Sequence, residues 1–368
     1  MNTERAVVEL PGGLELQLKY VSLVLLIVQN VALVLMIKVS KLHHAPDKPS
    51  YVSSTAILCA EFMKLGVSLS LEYQRFTRDN KVATPFRRHL IRQLAKPDTM
   101  KLSVPGILYT VQSNLLFMAL NLLSVGVYQV SMQLKILLTA AMSYFVLGKT
   151  LSPLQVISLV ILMCGVAAVQ LSQVVGDDKL SDARQQGQYQ QLLGFGATVL
   201  ACIISAFAGV YLEKVLKSGS FVSIWMRNVQ LSLFGILIGL FTVVGKDGHR
   251  IGEFGFFGGY NWTTWIAICL QAWGGLIVAV VIKYADNILK GFATAVSILF
   301  ISFVSVLAFD TKPSLLMAAG TGAVFISVLL YISNPVSAGF SRSGFKVIEP
   351  GDIDSRRAFS QNEFLGKR

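Results

Sequence analysis

Apolar residues run in long blocks along this chain, and polar residues collect in the short gaps between them. A helix needs roughly 20 residues to cross about 30 Å of hydrocarbon, and ten blocks reach or approach that length. They cover 19–41, 51–73, 103–123, 125–147, 152–174, 193–216, 221–245, 262–283, 288–309 and 313–332. The pattern predicts an all-α membrane protein with ten transmembrane helices. Spans three and four are the hardest to separate, because only 121–126 lies between them. The basic stretch 75–100 reads as the longest loop. A polar, acidic gap at 175–192, with Asp177, Asp178 and Asp182, divides the spans five and five. An odd number per half places the halves in opposite orientations, the plan of two inverted five-helix repeats.

Only 14% of residues are charged, against about 25% in soluble domains. The net charge is +12, and its distribution follows the sides of a membrane. With both termini cytosolic, 21 of the 32 Lys and Arg fall on the cytosolic side and 8 on the other, as the positive-inside rule requires. This excludes nucleic acid as the reason for the basic charge and makes the lipid bilayer the main environment. The expected organisation is a cytosolic segment 1–18, a first half 19–174, a lumenal loop 175–192, a second half 193–332 and a disordered cytosolic tail 333–368. Without a cleavable leader, the first span serves as the insertion signal. The three remaining cations, Lys64, Lys135 and Arg227, lie inside spans.

A cation at the bilayer centre costs roughly 2.5–3.5 kcal/mol on insertion scales, so it is kept where it faces a partner or a pathway. Lys135 lies deep in span four, too far from a helix end to snorkel into water. Lys290 lies near the start of span nine, where snorkelling competes with a cavity role. There Asp286 and Asn287 suit a helix cap, and Gly291 admits a ligand close to the backbone. Tyr128-x-x-x-Met132-x-x-Lys135 in span four is echoed by Tyr284-x-x-Asn287-x-x-Lys290 at span nine. Glu61 and Lys64 share a helix face; they form either a neutralised structural pair or part of a gate. Arg227 is expected to snorkel from the cytosolic end of span seven, and its neighbour Asn228 is the better cavity residue. In span three, Tyr109, Gln112, Ser113 and Asn114 form a polar face that is too rich for lipid. The run from Ser205 to Tyr211 is explained by close helix packing or by a ligand.

The chain carries no P-loop, no zinc-binding pattern and no Ser/His/Asp arrangement, so neither an enzyme nor an ATP-driven pump is indicated, and no cofactor or metal. Cys59, Cys164, Cys202 and Cys269 all fall in spans and read as small buried hydrophobes. A channel would need rings of like residues from symmetric subunits. A membrane enzyme would need a catalytic cluster at an interface.

Three stretches resemble signatures of the Golgi nucleotide-sugar transporters, in the branch for UDP-galactose, UDP-N-acetylglucosamine and CMP-sialic acid. They are Gly126-Val-Tyr-Gln-Val-Ser-Met-Gln-Leu-Lys135, Phe207-Ala-Gly-Val-Tyr-Leu-Glu-Lys214 and Lys283-Tyr-Ala-Asp-Asn-Ile-Leu-Lys-Gly-Phe-Ala-Thr294. The resemblance runs from about Leu18 to Pro335. It implies a ten-span carrier of the drug/metabolite transporter superfamily in the Golgi membrane, exchanging a cytosolic UDP-sugar for lumenal UMP. It also implies that Lys135 and Lys290 meet the phosphates, and that Tyr109, Ser113 and Asn114 line the nucleotide or sugar pocket. Asn228, Tyr211, Tyr128, Asn287, Glu61 and Lys64 match further cavity positions. The sequence departs from the family at Ser113, at Ser131-Met132 and along 295–302, where the base or sugar is expected. UDP-galactose (pyranose or furanose) and UDP-N-acetylglucosamine are the favoured substrates. A homodimer is compatible with the sequence. The nearest rival is a drug/metabolite exporter on the same fold.

Overall fold

The computed structural model describes residues 7–10, 14–42, 51–79, 85–175, 188–217, 222–309 and 314–333. Its helices are α1 (Leu18–Leu42), α2 (Ser53–Asp79), α3 (Phe86–Leu94), α4 (Pro97–Met100), α5 (Ser103–Leu122), α6 (Val125–Met132) and α7 (Leu134–Leu147). They continue with α8 (Pro153–Val175), α9 (Gln188–Lys217), α10 (Ile224–Phe254), α11 (Trp262–Tyr284), α12 (Asn287–Phe309) and α13 (Leu315–Ser333). Among the described residues, ten stretches are long and apolar enough to cross a membrane, as the block pattern predicts. A short antiparallel pair, β1 (Val7–Leu10) with β2 (Leu14–Gln17), precedes α1 and was not anticipated.

Local chemistry sets the breaks. Leu123 and Ser124 are extended (ψ 148° and 149°), and they separate α5 from α6 in the gap that hydropathy barely marked. Gly148 closes α7 in the left-handed region (φ 66°), where a side chain would be strained. Pro153 opens α8 at a position where its missing N–H costs nothing. Span four is broken at Gln133. There the Gln133 N–H bonds the Val130 carbonyl and the Ile136 N–H bonds the Gln133 carbonyl, tight three-residue spacings that divide α6 from α7.

Three expectations are corrected. The basic stretch 75–100 is not a long loop: α2 runs on to Asp79, and α3 and α4 follow. The stretch 246–254 is the last part of α10, because hydropathy marks where a chain leaves lipid and not where a helix ends. Asp247 accepts a hydrogen bond from Ser54 Oγ at 2.5 Å there. Arg227 does not snorkel. It is 3% exposed and donates to Gln230 Oε1 at 3.3 Å, since the first turns of α10 are buried where Ser223 bonds Glu72 of α2 and Gln230 bonds Thr99 of α4. The predicted loop 175–192 is shorter than expected, because α8 runs to Val175 and α9 starts at Gln188; 176–187 lies outside the described residues, as does the tail after Ser333.

The helices pair closely as α8 with α13, α5 with α9, α2 with α10, α1 with α11, α7 with α9 and α1 with α12. In span numbers these pairs are 5–10, 3–6, 2–7, 1–8, 4–6 and 1–9. Exchanging each span for the one five places away returns the same set. The largest buried cluster joins α7, α8, α12 and α13 through Ala140, Leu159, Leu162, Val166, Val169, Phe292, Leu299 and Val324.

Candidate functional site

A cavity opens between α6–α7, α8 and α12. Its polar lining is Gln133, Lys135, Thr139, Asn287, Lys290 and Thr294. Its empty space, open mouth included, is about 670 Å³. No carboxylate lines it. The break at Gln133 shapes one wall. Gln133 Nε2 donates to Gln170 Oε1 on α8 at 2.6 Å, and the new helix, α7, carries Lys135 in its first turn. The opposite wall is the first turn of α12. There Asp286 Oδ1 caps the Leu289 N–H at 2.7 Å, as the sequence suggested. Gly291 has open space where a Cβ would stand. Lys135 of α7 and Lys290 of α12 line the same cavity. Two cations in a wall without acids select an anion, and removal from water makes each seek a counter-charge.

Beside this cavity the first residues of α12 are held by a buried ionic network. Glu213 on α9 is fully buried. Its Oε1 accepts from Lys149 Nζ at 2.7 Å and Lys217 Nζ at 2.8 Å. Its Oε2 accepts the Asn287 N–H at 3.0 Å. Lys149 also approaches Asp286 Oδ2 at 3.4 Å, and Lys217 donates to the Ala285 carbonyl at 2.5 Å. Burial pushes the Lys149 ammonium down, but the Asp286 and Glu213 carboxylates outweigh it and hold it above its ordinary value. Burial likewise pushes the Asp286 carboxyl up, and Lys149, the Leu289 N–H and Lys217 together hold it below the usual carboxylate range.

A second cavity lies between α1, α2 and α11, lined by Gln29, Asn30, Glu61, Lys64 and Gln271 among others. Lys64 Nζ sits 2.7 Å and 2.6 Å from the two Glu61 oxygens. The pair fits between helices because Gly235 and Gly275 face it; a Cβ there would come 2.6 Å from Glu61 Oε2 or 2.9 Å from Lys64 Cδ.

The structure therefore brings Lys135, Lys290 and Asn287 together and sets Glu61 and Lys64 apart from them. The other predicted positions line neither cavity. Ser113 Oγ and Asn114 Nδ2 bond back to the Tyr109 and Thr110 carbonyls at 2.8 Å and 3.0 Å, the arrangement polar side chains adopt in an apolar helix. Tyr109 and Tyr128 are half-buried on α5 and α6. Tyr211 packs near Phe207, ring centroids 6.0 Å apart. Asn228 is buried and donates to the Ile224 carbonyl at 3.1 Å. Among the described residues, Gln112 Oε1 and Gln129 Oε1 are buried without a hydrogen-bond partner. Sequence reasoning missed Glu213. Its signal was an acid within a long apolar span, one helical turn before Lys217. Among the described residues no group of His, Cys, Asp or Glu could hold a metal ion.

The chain matches the nucleotide-sugar transporter family over residues 14–332. It is 44% identical over 314 residues to a UDP-galactose transporter of Schizosaccharomyces pombe, covering 85% of this chain and 87% of the relative. It is 43% identical over 326 residues to the UDP-N-acetylglucosamine transporter of Rattus norvegicus, with 88% and 97% covered. A UDP-galactose translocator of Mus musculus is 41% identical over 317 residues, with 86% and 78% covered. One crystal structure of another protein has the same fold at a TM-score of 0.58 and 14% identity, covering 85% of this chain and 96% of that one.

Proposed function

Because the chain belongs to the nucleotide-sugar transporter family, whose members are carriers and not enzymes, we propose that this multi-pass membrane protein exchanges a UDP-sugar for UMP. The observation that carries the reading is the meeting of Lys135 and Lys290 in one cavity without acids. A UDP-sugar brings about two negative charges on its diphosphate, and a phosphate monoester about −1.5 to −2 at neutral pH. The same two lysines serve either ligand. The sugar is galactose, in pyranose or furanose form, or N-acetylglucosamine, the substrates in the names of the relatives.

Transport proceeds by alternating access between two inverted five-helix halves. Support comes from the helix pairing, which is unchanged when each span is exchanged for the one five places on. The charge bias of the loops supports cytosolic termini and the direction cytosol to Golgi lumen. The Asn287 side chain lies against Gly209 of α9, where a Cβ would be 2.5 Å from Nδ2. Asn287 lines the same cavity one helical turn before Lys290, and is a further ligand contact in this reading. The empty carrier leaves two desolvated cations unpaired, and this penalty disfavours reorientation without cargo, so the protein exchanges rather than leaks.

The test is counterflow in liposomes. Labelled UDP-sugar should enter vesicles preloaded with UMP far faster than unloaded ones. Equal uptake into both would remove exchange. No uptake of any nucleotide sugar, and no thermal stabilisation by UMP, would return the protein to the exporter reading.

A further inference from the structure

The ionic network around Glu213 crosses the boundary between the halves. Lys149, on the α7–α8 link of the first half, bonds Glu213 of α9 at 2.7 Å and approaches Asp286, just before α12, at 3.4 Å. Both acids belong to the second half. Lys217 adds a bond to Glu213 and one to the Ala285 carbonyl. Glu213 also holds the Asn287 N–H, one helical turn before Lys290. The carboxylate is fully buried, while Lys149 and Lys217 are about one-third exposed, with side chains 30% and 33% accessible. The network is therefore at the edge of the water, where a modest movement would rehydrate both cations.

We propose that Glu213 is a positioning residue for transport: with Lys149 it latches the two halves at their cytosolic end, and its release moves the start of α12, with Lys290, between faces. The proposal rests on the carrier reading above. A bond between halves at one end must break whenever that end opens, so the latch contributes to the balance between the two open states. Because the Asn287 amide and Lys290 share one helical turn, an anion bound at Lys290 acts on the element that the latch holds. Such a bistable element is the physical requirement for coupling binding to reorientation.

Glu213→Gln is the informative variant. It keeps an acceptor for the Asn287 N–H and removes the charge that holds Lys149 and Lys217. The measurement is UMP/UMP exchange in sealed secretory vesicles of uniform orientation, with UMP varied first outside, at the cytosolic face, and then inside. Apparent affinity scales with the fraction of carrier open to that face. We expect the KM for UMP to fall at the cytosolic face and rise at the lumenal face, each by roughly 5-fold or more. Glu213→Asp should return part of both changes. A purely structural role would lower the exchange rate or the amount of folded protein without moving the two KM values apart. Unchanged KM values, or values moving together, in folded protein would overturn the latch and leave the carrier intact. Should Glu213→Gln not fold, Lys149→Gln removes both contacts between the halves and should shift the KM values in the same opposed directions. Absence of UMP exchange in the wild type would instead remove the carrier reading, and the latch with it.

Discussion

Gly165 of α8 and Gly320 of α13 face each other so closely that a Cβ on Gly320 would come 2.7 Å from the Gly165 carbonyl oxygen. The obstacle is backbone, which cannot rotate away. Small residues of this kind let membrane helices approach within backbone contact. Gly320→Ala should therefore push α8 and α13 apart, at about 1–3 kcal/mol as for other overpacked sites. Gly322→Ala, two residues on, meets nothing within 4 Å. We expect the melting temperature in detergent to drop by several degrees for the first and not for the second; equal behaviour would refute the close contact.

Lys135→Ala and Lys290→Ala should each weaken UMP binding. A hydrogen bond to a charged group contributes about 1.5–3 kcal/mol, which corresponds to roughly 10–100-fold in affinity. The thermal shift given by UMP is the direct measurement, because ligand that binds only folded protein raises the melting temperature with concentration. The unliganded variants should be no less stable than wild type, since each loses a cation with no acid in its cavity. Retained UMP stabilisation in both would remove the phosphate-site assignment.

The Asp286 contact has a defined dependence on pH. Its folded-state pKa is depressed, so its stabilisation is present above the ordinary carboxylate pKa of about 3.9 and is lost as pH falls through the lower folded value. Lys149 is raised; its contribution is present below about 10.4 and is lost only as pH climbs past its folded value. The gap in melting temperature between wild type and Asp286→Asn should accordingly stay flat from about pH 5.5 to 9 and close only in strong acid. A gap that changes near neutrality would contradict this pair of assignments.

Asn261 begins a formal glycosylation sequon, Asn261-Trp-Thr263, but its side chain is already in use. Asn261 Oδ1 accepts the Thr264 N–H at 2.8 Å and the Thr263 and Thr264 hydroxyls at 2.6 Å and 2.7 Å. It caps α11, and Thr263 and Thr264 are buried. Glycosidase treatment of the expressed protein should leave its gel mobility unchanged. Asn261→Ala should lower stability by about 0.5–2 kcal/mol, the usual range for a lost N-cap.

The sequence by itself determined the ten apolar stretches, because hydrocarbon sets a minimum length for an apolar block. It singled out Lys135 as well, since a cation so deep in such a block is too costly to be idle. The stretches that mark the family were also legible, and the matched relatives agree with them. The tertiary structure decided which of those polar residues meet. Hydropathy has no term for a contact between α7 and α12, so it could not show that Lys135 and Lys290 share a cavity while Glu61 and Lys64 line another. It also misplaced Arg227, treating nearness to a helix end as access to water, although α10 buries that end. Glu213 was passed over for a related reason. A carboxylate near a helix end reads as solvated until the partners that desolvate it, Lys149 and the Asn287 amide, are brought from distant parts of the chain.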